Sequence, residues 1–345
     1  MRLIHTADLH IGANRSFPNY LERYQSAVNE IIRICEKARA DCLILAGDLL
    51  DTTNPNIEEK KLISRLVSHA PCPVALIHGN HEMIGPNPSH TSLSWLLELA
   101  PRLNNVKIWS EPTLEKWLDV WWLAIPPQKT VSGKWNTTDF HFMVKHFLSS
   151  IPKEDSSPII GVAHEFFDGA ILENGHKIDK GLTNLPKSRR VCYWALGDIH
   201  KSNQQISHNA WYCGSPLQQN FGEKRPKGVL QVDLGQSPKF IELKTPLPLL
   251  NLTKIPKNNR WPEGFIKLEI DLASLPSTLP DNVVSIVQVS TDSKSFQETA
   301  GIKDLNSRIT TETLIKELED LLIEQDLEEK IVKRAVKLTQ KLVGG

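Results

Sequence analysis

The sequence predicts an α/β fold, and three observations carry that prediction. Short apolar runs suited to buried strands recur along the first two hundred residues, each run ends in a polar cluster, and stretches of helical period lie between them. Asp8-Leu9-His10 follows Leu3-Ile4, and Gly47-Asp48-Leu49-Leu50-Asp51 follows Leu43-Ile44-Leu45. Gly79-Asn80-His81-Glu82 follows Val74-Ala75-Leu76-Ile77, and Ala163-His164-Glu165 follows Ile159-Ile160-Gly161-Val162. The fifth cluster, Gly197-Asp198-Ile199-His200, follows the mixed run Val191-Cys192-Tyr193-Trp194-Ala195-Leu196. Between the runs, residues 20–37 set Leu21, Tyr24, Val28, Ile31, Ile32 and Cys35 at helical spacing. Residues 56–69 form a second helical stretch and 91–99 a shorter one. Turn-rich loops are expected at 126–139 and 153–158.

Composition shifts near Thr245. Pro246, Pro248, Pro256 and Pro262 mark a linker, after which residues 265–270 and 283–289 read as strands of a small second unit. From Thr310 the chain reads as two helices, one striped by Leu314, Leu318, Leu321 and Leu322, the other by Leu327, Ile331, Ala335, Leu338 and Leu342. Asp326 and Glu329 open the second with a capping-box-like start. The expected plan is a main domain at 1–250, a small α+β unit at 251–305 and a helix-loop-helix at 306–345.

A chain of 345 residues has ample core to bury, and 23% charged with 40% hydrophobic residues excludes a disordered or fibrous protein. Forty basic and forty acidic residues leave no net charge, so no global field attracts nucleic acid. Two bound divalent ions would add four positive charges locally. The basic groups Lys177, Lys180, Lys187, Arg189 and Arg190, then Lys224, Arg225 and Lys227, read as solvated surface. No run reaches the ~18 apolar residues of a membrane span. A strand starting at Met1-Arg2-Leu3 leaves no room ahead of it for a signal peptide. Five scattered cysteines without a CxxC pair read as reduced core thiols of a cytoplasmic protein.

Polar clusters at the carboxyl ends of buried strands converge at one sheet edge. Phosphoryl chemistry at two metals needs a bridging carboxylate, N/O ligands on either side and an open position for water. Asp48 suits the bridge, just past a strand in a Gly-Asp turn. Asp8 and His10 alternate on what reads as an extended segment, so both face one metal. Asn80, His164, Asp198 and His200 complete the donor set. Mixed imidazole, amide and carboxylate ligands favour manganese, iron or zinc over calcium. His81 stands beside Asn80, placed to steady developing charge or protonate a leaving oxygen. His5, His69, His90, His141, His146, His176 and His208 read as ordinary core or surface residues.

The order DxH, GDxxD, GNH[DE], H and GxxH resembles the calcineurin-like metallophosphoesterase superfamily. The opening Leu3-Ile4-His5-Thr6-Ala7-Asp8-Leu9-His10-Ile11-Gly12 is similar to that of SbcD-type nuclease subunits. So are Tyr193-Trp194-Ala195-Leu196-Gly197-Asp198-Ile199-His200-Lys201 and the stretch Gly214-Ser215-Pro216-Leu217, Phe221-Gly222-Glu223, Lys227-Gly228. That last stretch holds no metal ligand and separates the nuclease branch from other phosphoesterases. The resemblance implies an αββα sandwich with a capping domain and a terminal helix-loop-helix. It implies one metal on Asp8, His10, Asp48 and His200 and a second on Asp48, Asn80, His164 and Asp198, manganese by preference and magnesium also admissible. His81 and Asp48 would then serve catalysis. It further implies 3′-to-5′ exonuclease and single-strand endonuclease activity on DNA and an SbcC-type ABC ATPase partner with a coiled coil, gripped by the C-terminal helices. A homodimer, to which residues 89–99 contribute, is also implied. One departure stands out: Asp198 occupies the place of a usual histidine, which hardens the site toward manganese or magnesium and away from zinc.

Rival readings remain. A protein phosphatase would follow GDxxD with Arg-Gly, where this chain has Thr52-Thr53. A small-molecule or cyclic-nucleotide phosphodiesterase fits the metal motifs equally, and a non-catalytic scaffold that binds DNA ends is the reading from outside enzymology. The C-terminal helices could equally pack on their own domain, since acidic residues early and basic residues late suit the helix dipole.

Overall fold

A computed structural model of the chain describes residues 1–85, 87, 90–103, 105–127, 140–179, 190–271, 275, 276, 278–288 and 297–299. All five apolar runs become strands. In chain order the elements begin β1 (Arg2–Thr6), α1 (Tyr20–Ala38), β2 (Cys42–Ala46), α2 (Ile57–His69), β3 (Val74–Ile77), α3 (Ser94–Leu99) and β4 (Val106–Trp109). There follow β5 (Thr113–Trp117), β6 (Val120–Ile125), α4 (Phe140–Ser150), β7 (Ile159–His164), β8 (Val191–Gly197), β9 (Gln204–Ser207), β10 (Ala210–Tyr212), β11 (Gly228–Asp233) and β12 (Lys239–Glu242).

The strands form two six-stranded sheets, ordered β12-β11-β1-β2-β3-β4 and β5-β6-β7-β8-β10-β9. Strands β1 to β4 run parallel, as do β6, β7, β8 and β10. Antiparallel strands close both edges of the second sheet and one edge of the first. Because side chains alternate along a strand, each sheet has two apolar faces. Leu43, Leu45 and Leu76 pack under Tyr24, Val28 and Ile31 of α1 and Ile63 and Leu66 of α2. The opposite face, with Leu3, Ile44 and Ile77, meets Trp122, Ile160, Val162 and Ala195 of the second sheet. The outer face of that sheet, with Leu123, Trp194 and Leu196, packs on Phe140 and Val144 of α4. The result is the expected αββα sandwich.

Local chemistry sets the helix ends. Asn56 Oδ1 accepts from the N–H groups of Glu58 and Glu59, both at 3.0 Å, while the Glu59 carboxylate accepts from Asn56 N at 2.8 Å. This reciprocal cap starts α2 where the period begins. The third helix is shorter than the spacing over 91–99 predicts. Thr91 and Ser94 tie a turn instead, with Ser94 Oγ donating to Thr91 O at 2.5 Å and Thr91 Oγ1 accepting from Leu93 N at 3.1 Å. Four cysteines are buried as expected, but Cys192 is exposed, on the outward side of β8. Lys227 is buried rather than solvated, and its partners belong to the site described below.

By internal contacts, Met1–Asn251 with Arg260–Phe265 forms one unit, and Leu252–Asn259 with Ile266–Gly345 a second. After β13 (Leu249–Leu252), the second unit carries β14 (Phe265–Ile270) parallel to β15 (Val283–Gln288), with β16 (Gln297–Thr299) antiparallel to β15. The expected helices at 310–345, loop residues 128–139, Ser89, and Lys180, Lys187 and Arg189 lie outside the described residues. Among the described residues no helix is long and apolar enough to cross a membrane.

One position in the site-bearing sheet shows how tightly it is packed. Gly161 pairs with Trp194 in register across β7 and β8, and a Cβ there would lie 2.2 Å from the Trp194 ring. The Gly161→Ala variant is expected to lose about 1–3 kcal/mol of stability. Urea denaturation measures this, and an unchanged midpoint would contradict the packing account.

Candidate metal centre

Strands β1, β2 and β3 of the first sheet and β7 and β8 of the second end at a common edge, where all five polar clusters meet. The chain reverses sharply there. Asp8 (φ 55°), His10 (φ 44°), Asp48 (φ 49°) and Asp198 (φ 94°) all adopt left-handed backbone conformations. Such strain in non-glycine residues persists only where surroundings enforce it, and it concentrates at functional sites. The extended segment expected at Asp8 and His10 is therefore not extended. β1 stops at Thr6, and residues 8–11 bend alongside the second cluster, with Asp8 N, His10 N and Ile11 N each donating at 3.0 Å to Gly47 O, Asp48 O and Leu49 O.

The eight predicted residues are brought together. Three triads, Asp8/His10/His200, His10/Asp48/His81 and Asp8/Asp48/His164, each place ligand atoms within 4.8 Å of one another. His164 Nε2 lies 3.2 Å from Asp48 Oδ2, 3.1 Å from Asn80 Oδ1 and 3.7 Å from Asp198 Oδ1. His10 Nε2 lies 3.0 Å from His200 Nε2 and 3.6 Å from Asp48 Oδ2. Asp48 thus stands between the two groups, where a bridge belongs. Its other oxygen accepts from His81 N at 3.0 Å, and Asp8 accepts from Asp198 N at 3.0 Å.

The donor set fits divalent cations. Asp8 and Asp48 are buried and Asp198 nearly so, and among the described residues their ion pairs are all with histidine. Burying carboxylates without a cation is costly. Burial pushes Asp198 up to about 8, with Asp48, Asp8 and Glu165 adding to the rise. Burial alone would lower His164, but Asp48, Asp198 and Asp8 outweigh it and raise the imidazole well above its ordinary value. Burial would likewise raise Asp48, yet His164, His10 and His81 hold it below the ordinary carboxylate range. In the absence of metal, protons supply the positive charge this cluster needs. His10 and His200 face each other through Nε2, an arrangement that calls for a proton or cation between them.

The imidazoles are aimed by their other nitrogens, the usual arrangement around metal-binding histidines. His164 Nδ1 donates to Ala46 O at 2.7 Å, and His200 Nδ1 to Glu223 Oε1 at 2.7 Å. His81 Nδ1 donates to Asp51 O at 2.9 Å, which leaves Nε2 4.0 Å from Asp48 on a side chain 42% exposed. These tautomers follow from the acceptors present.

Several supporting residues were given no role by the sequence reading. Glu223 is buried, paired with Lys227 Nζ at 2.8 Å, and Lys227 also contacts Glu173 and donates to His200 O at 2.8 Å. Gln219 Nε2 donates to Asp8 O and Leu9 O at 3.1 and 3.0 Å. Both belong to the segment 214–228, whose motif was recognised but held no ligand. Glu82 is buried, with its carboxylate accepting from Gly79 N, Leu49 N and Leu50 N at 2.6, 2.7 and 2.9 Å. It clamps the third cluster to the second, and burial with the Asp48 charge pushes it up to about 7. Gly79 is required there, because a Cβ would lie 2.0 Å from Asp48 Oδ1.

Known proteins resemble this sequence over much of its length. Residues 1–202 match the calcineurin-like phosphoesterase family. The chain is 30% identical to the SbcD component of nuclease SbcCD from Staphylococcus epidermidis, over 74% of its own length and 72% of that protein's. It is 25% identical to the SbcD component of nuclease SbcCD from Bacillus subtilis over 65% of this chain, and spans 63% of that relative's length. The DNA double-strand break repair protein Mre11 of Methanosarcina mazei is 24% identical over 97% of this chain and 52% of the relative.

Two outcomes follow from the centre's construction. Glu223→Gln removes the anionic acceptor that orients His200, and should weaken manganese binding by about 10–100-fold. Titration calorimetry reads this directly, and parent-like affinity would refute the orienting role. The surrounding carboxylates raise His164 and burial raises Asp198, so protons compete with a cation there, and manganese binding should release protons and tighten as pH rises. Binding heats that are independent of buffer ionisation enthalpy would contradict this.

Proposed function

Because the chain belongs to the calcineurin-like phosphoesterase family, we propose that it is a metal-dependent phosphodiesterase whose substrate is DNA. The observation that carries the reading is the convergence of Asp8, His10, Asp48, Asn80, His164, Asp198 and His200 on one strand-end edge. Asp8, His10, Asp48 and His200 would hold one divalent ion, and Asp48, Asn80, His164 and Asp198 the other. When bound, the pair supplies Lewis-acid polarisation of the phosphate and activation of water for in-line attack. Manganese suits the ligands best, and magnesium is also compatible.

The chain's own groups do the rest. Asp48 Oδ2 lies 3.2 Å from His164 Nε2 and 3.6 Å from His10 Nε2, so this carboxylate would serve both ions. His81, exposed and fixed through Nδ1, presents Nε2 to the open side of the centre. From there it can stabilise charge on the phosphate and pass a proton to the leaving oxygen. The relatives named for nuclease SbcCD and for DNA double-strand break repair support a nuclease acting on DNA, and the motif resemblance extends this reading to 3′-to-5′ exonuclease and single-strand endonuclease activity. The name of the Mre11 relative supports a place in DNA repair, and the motif resemblance extends the reading to recombination, the cytoplasm and an ABC ATPase partner with a coiled coil. In this reading residues 251–305 help recognise DNA, the helices of 306–345 grip the ATPase, and residues 89–99 contribute to a homodimer.

The primary test is manganese-dependent degradation of an end-labelled duplex and a circular single strand. Parent protein should cleave and Asp48→Ala should not; a parent that cleaves neither DNA but hydrolyses an aryl phosphodiester would replace DNA by a small molecule. Asp198→His should shift metal preference toward zinc in a competitive titration, and no gain for zinc would overturn the account of Asp198. Truncation before Ser307 should retain basal cleavage but lose co-purification with the ATPase, and retained co-purification would assign those helices elsewhere.

A further inference from the structure

We propose that the recess beside the metal centre is a nucleobase subsite, with Phe166 as its stacking platform. The inference rests on the phosphodiesterase reading for where the scissile phosphate sits. The recess has a volume of about 380 Å³, and Asp198 and His200 form part of its wall. That volume lies within the roughly 300–1,000 Å³ of small-molecule sites. The recess thus opens beside the place where a phosphate would be held, within reach of its attached nucleoside.

Phe166 is the feature the fold does not otherwise explain. Its side chain is 41% exposed, two residues after His164, whereas the adjacent Phe167 is fully buried against Phe140. The exposure is imposed. The Tyr212 hydroxyl accepts from Phe167 N at 2.9 Å and donates to Glu165 O at 2.6 Å, which pins the backbone on both sides of Phe166. Tyr212 is itself buried, so the clamp is rigid. Among the described residues the Phe166 ring has no aromatic partner. A large apolar ring held outward beside a reaction centre is pre-organised for a ligand with a flat face.

The rest of the recess agrees with a neutral heteroaromatic ligand. Leu172 contributes apolar surface, Gly222 adds no side chain, and the carboxamides of Asn174 and Asn220 stand at its wall. The two glutamates that line it, Glu173 and Glu223, are both paired with Lys227. Lys227 between them, with His200 also on Glu223, leaves neither carboxylate unpaired, so a base entering the recess meets an apolar and amide surface flanked by paired ions. Every base has a π face, so stacking on Phe166 tolerates any base identity. A base can reach it only when unstacked from a duplex, which favours single-stranded or frayed substrate. The same chemistry would accept the base of a free cyclic nucleotide.

Two probes distinguish these sources in the full-length protein. One is a short single-stranded oligonucleotide carrying 2-aminopurine, the other 2-aminopurine riboside 2′,3′-cyclic phosphate. Binding is read by fluorescence quenching in calcium, and hydrolysis is read separately in manganese. The parent should quench at least one probe, Phe166→Ala should weaken that binding roughly ten-fold or more, and Phe166→Trp should restore it. A manganese titration matching the parent confirms that Phe166→Ala keeps its fold and metal site. Binding of the oligonucleotide alone assigns the subsite to a strand, and binding of the cyclic nucleotide alone to a free nucleotide. Equal binding by parent and Phe166→Ala, or no quenching with either probe, overturns the subsite. Phe166-dependent binding without hydrolysis would keep the subsite and discard the proposed function, whereas hydrolysis without Phe166 dependence would do the reverse.

Discussion

Three carboxylates, Asp8, Asp48 and Asp198, are gathered where two parallel sheets end, and the need to neutralise them organises what surrounds them. Among the described residues their ion-pair partners are histidines alone. A lysine or arginine in that position would satisfy the charge permanently and leave nothing for a metal to do. An imidazole can either accept a proton or offer a lone pair to a cation. The same arrangement explains the left-handed backbone at four of these residues. Straight strands would carry their side chains apart, and only sharp reversal at the strand ends turns the ligands toward one another.

Neutralisation is distributed in layers. Backbone N–H groups of one cluster bond the carboxylate of another, as His81 N does for Asp48 and Asp198 N for Asp8. Behind them, Glu82 gathers three N–H groups and locks the loop of Asn80 and His81 to that of Asp48. On the far side Glu223 orients His200, and Lys227 compensates Glu223 while also bonding His200 O. A buried lysine between two glutamates is tolerable because each ion has a close partner. Segment 214–228 thus supports the centre without supplying a ligand, which gives its sequence motif a physical reason.

The sandwich contributes rigidity and aim. Parallel pairing of β1, β2 and β3, and of β7 and β8, brings five carboxyl ends to one edge, and the two sheets pack face to face through side chains such as Ile44, Trp122 and Ile160. Close approach is part of this, since Gly161 lets the Trp194 ring lie against its backbone. Side chains mounted at the ends of such strands start from a fixed spacing, and the loops that carry them can be strained without unravelling.

Sequence alone determined the α/β class, the five strand-end clusters and the ligand-capable residues, because strand hydrophobicity and polar punctuation are local signals. The reciprocal cap of Asn56 and Glu59 on α2 is equally local, but only the structure showed it. The sequence did not reveal the bend at Asp8 and His10, since period-two spacing cannot distinguish a strand from a left-handed reversal enforced by Gly47 O and Asp48 O. Nor did it reveal the burial of Lys227 or the roles of Glu223, Gln219, Glu82 and Asp51. Those roles rest on pairings between distant stretches of chain, such as His200 with Glu223 and Leu49 with Glu82. The exposure of Phe166 beside the buried Phe167 belongs to the same class. Two adjacent phenylalanines look alike in sequence, and only the Tyr212 hydroxyl, brought from another strand, decides which one faces the site.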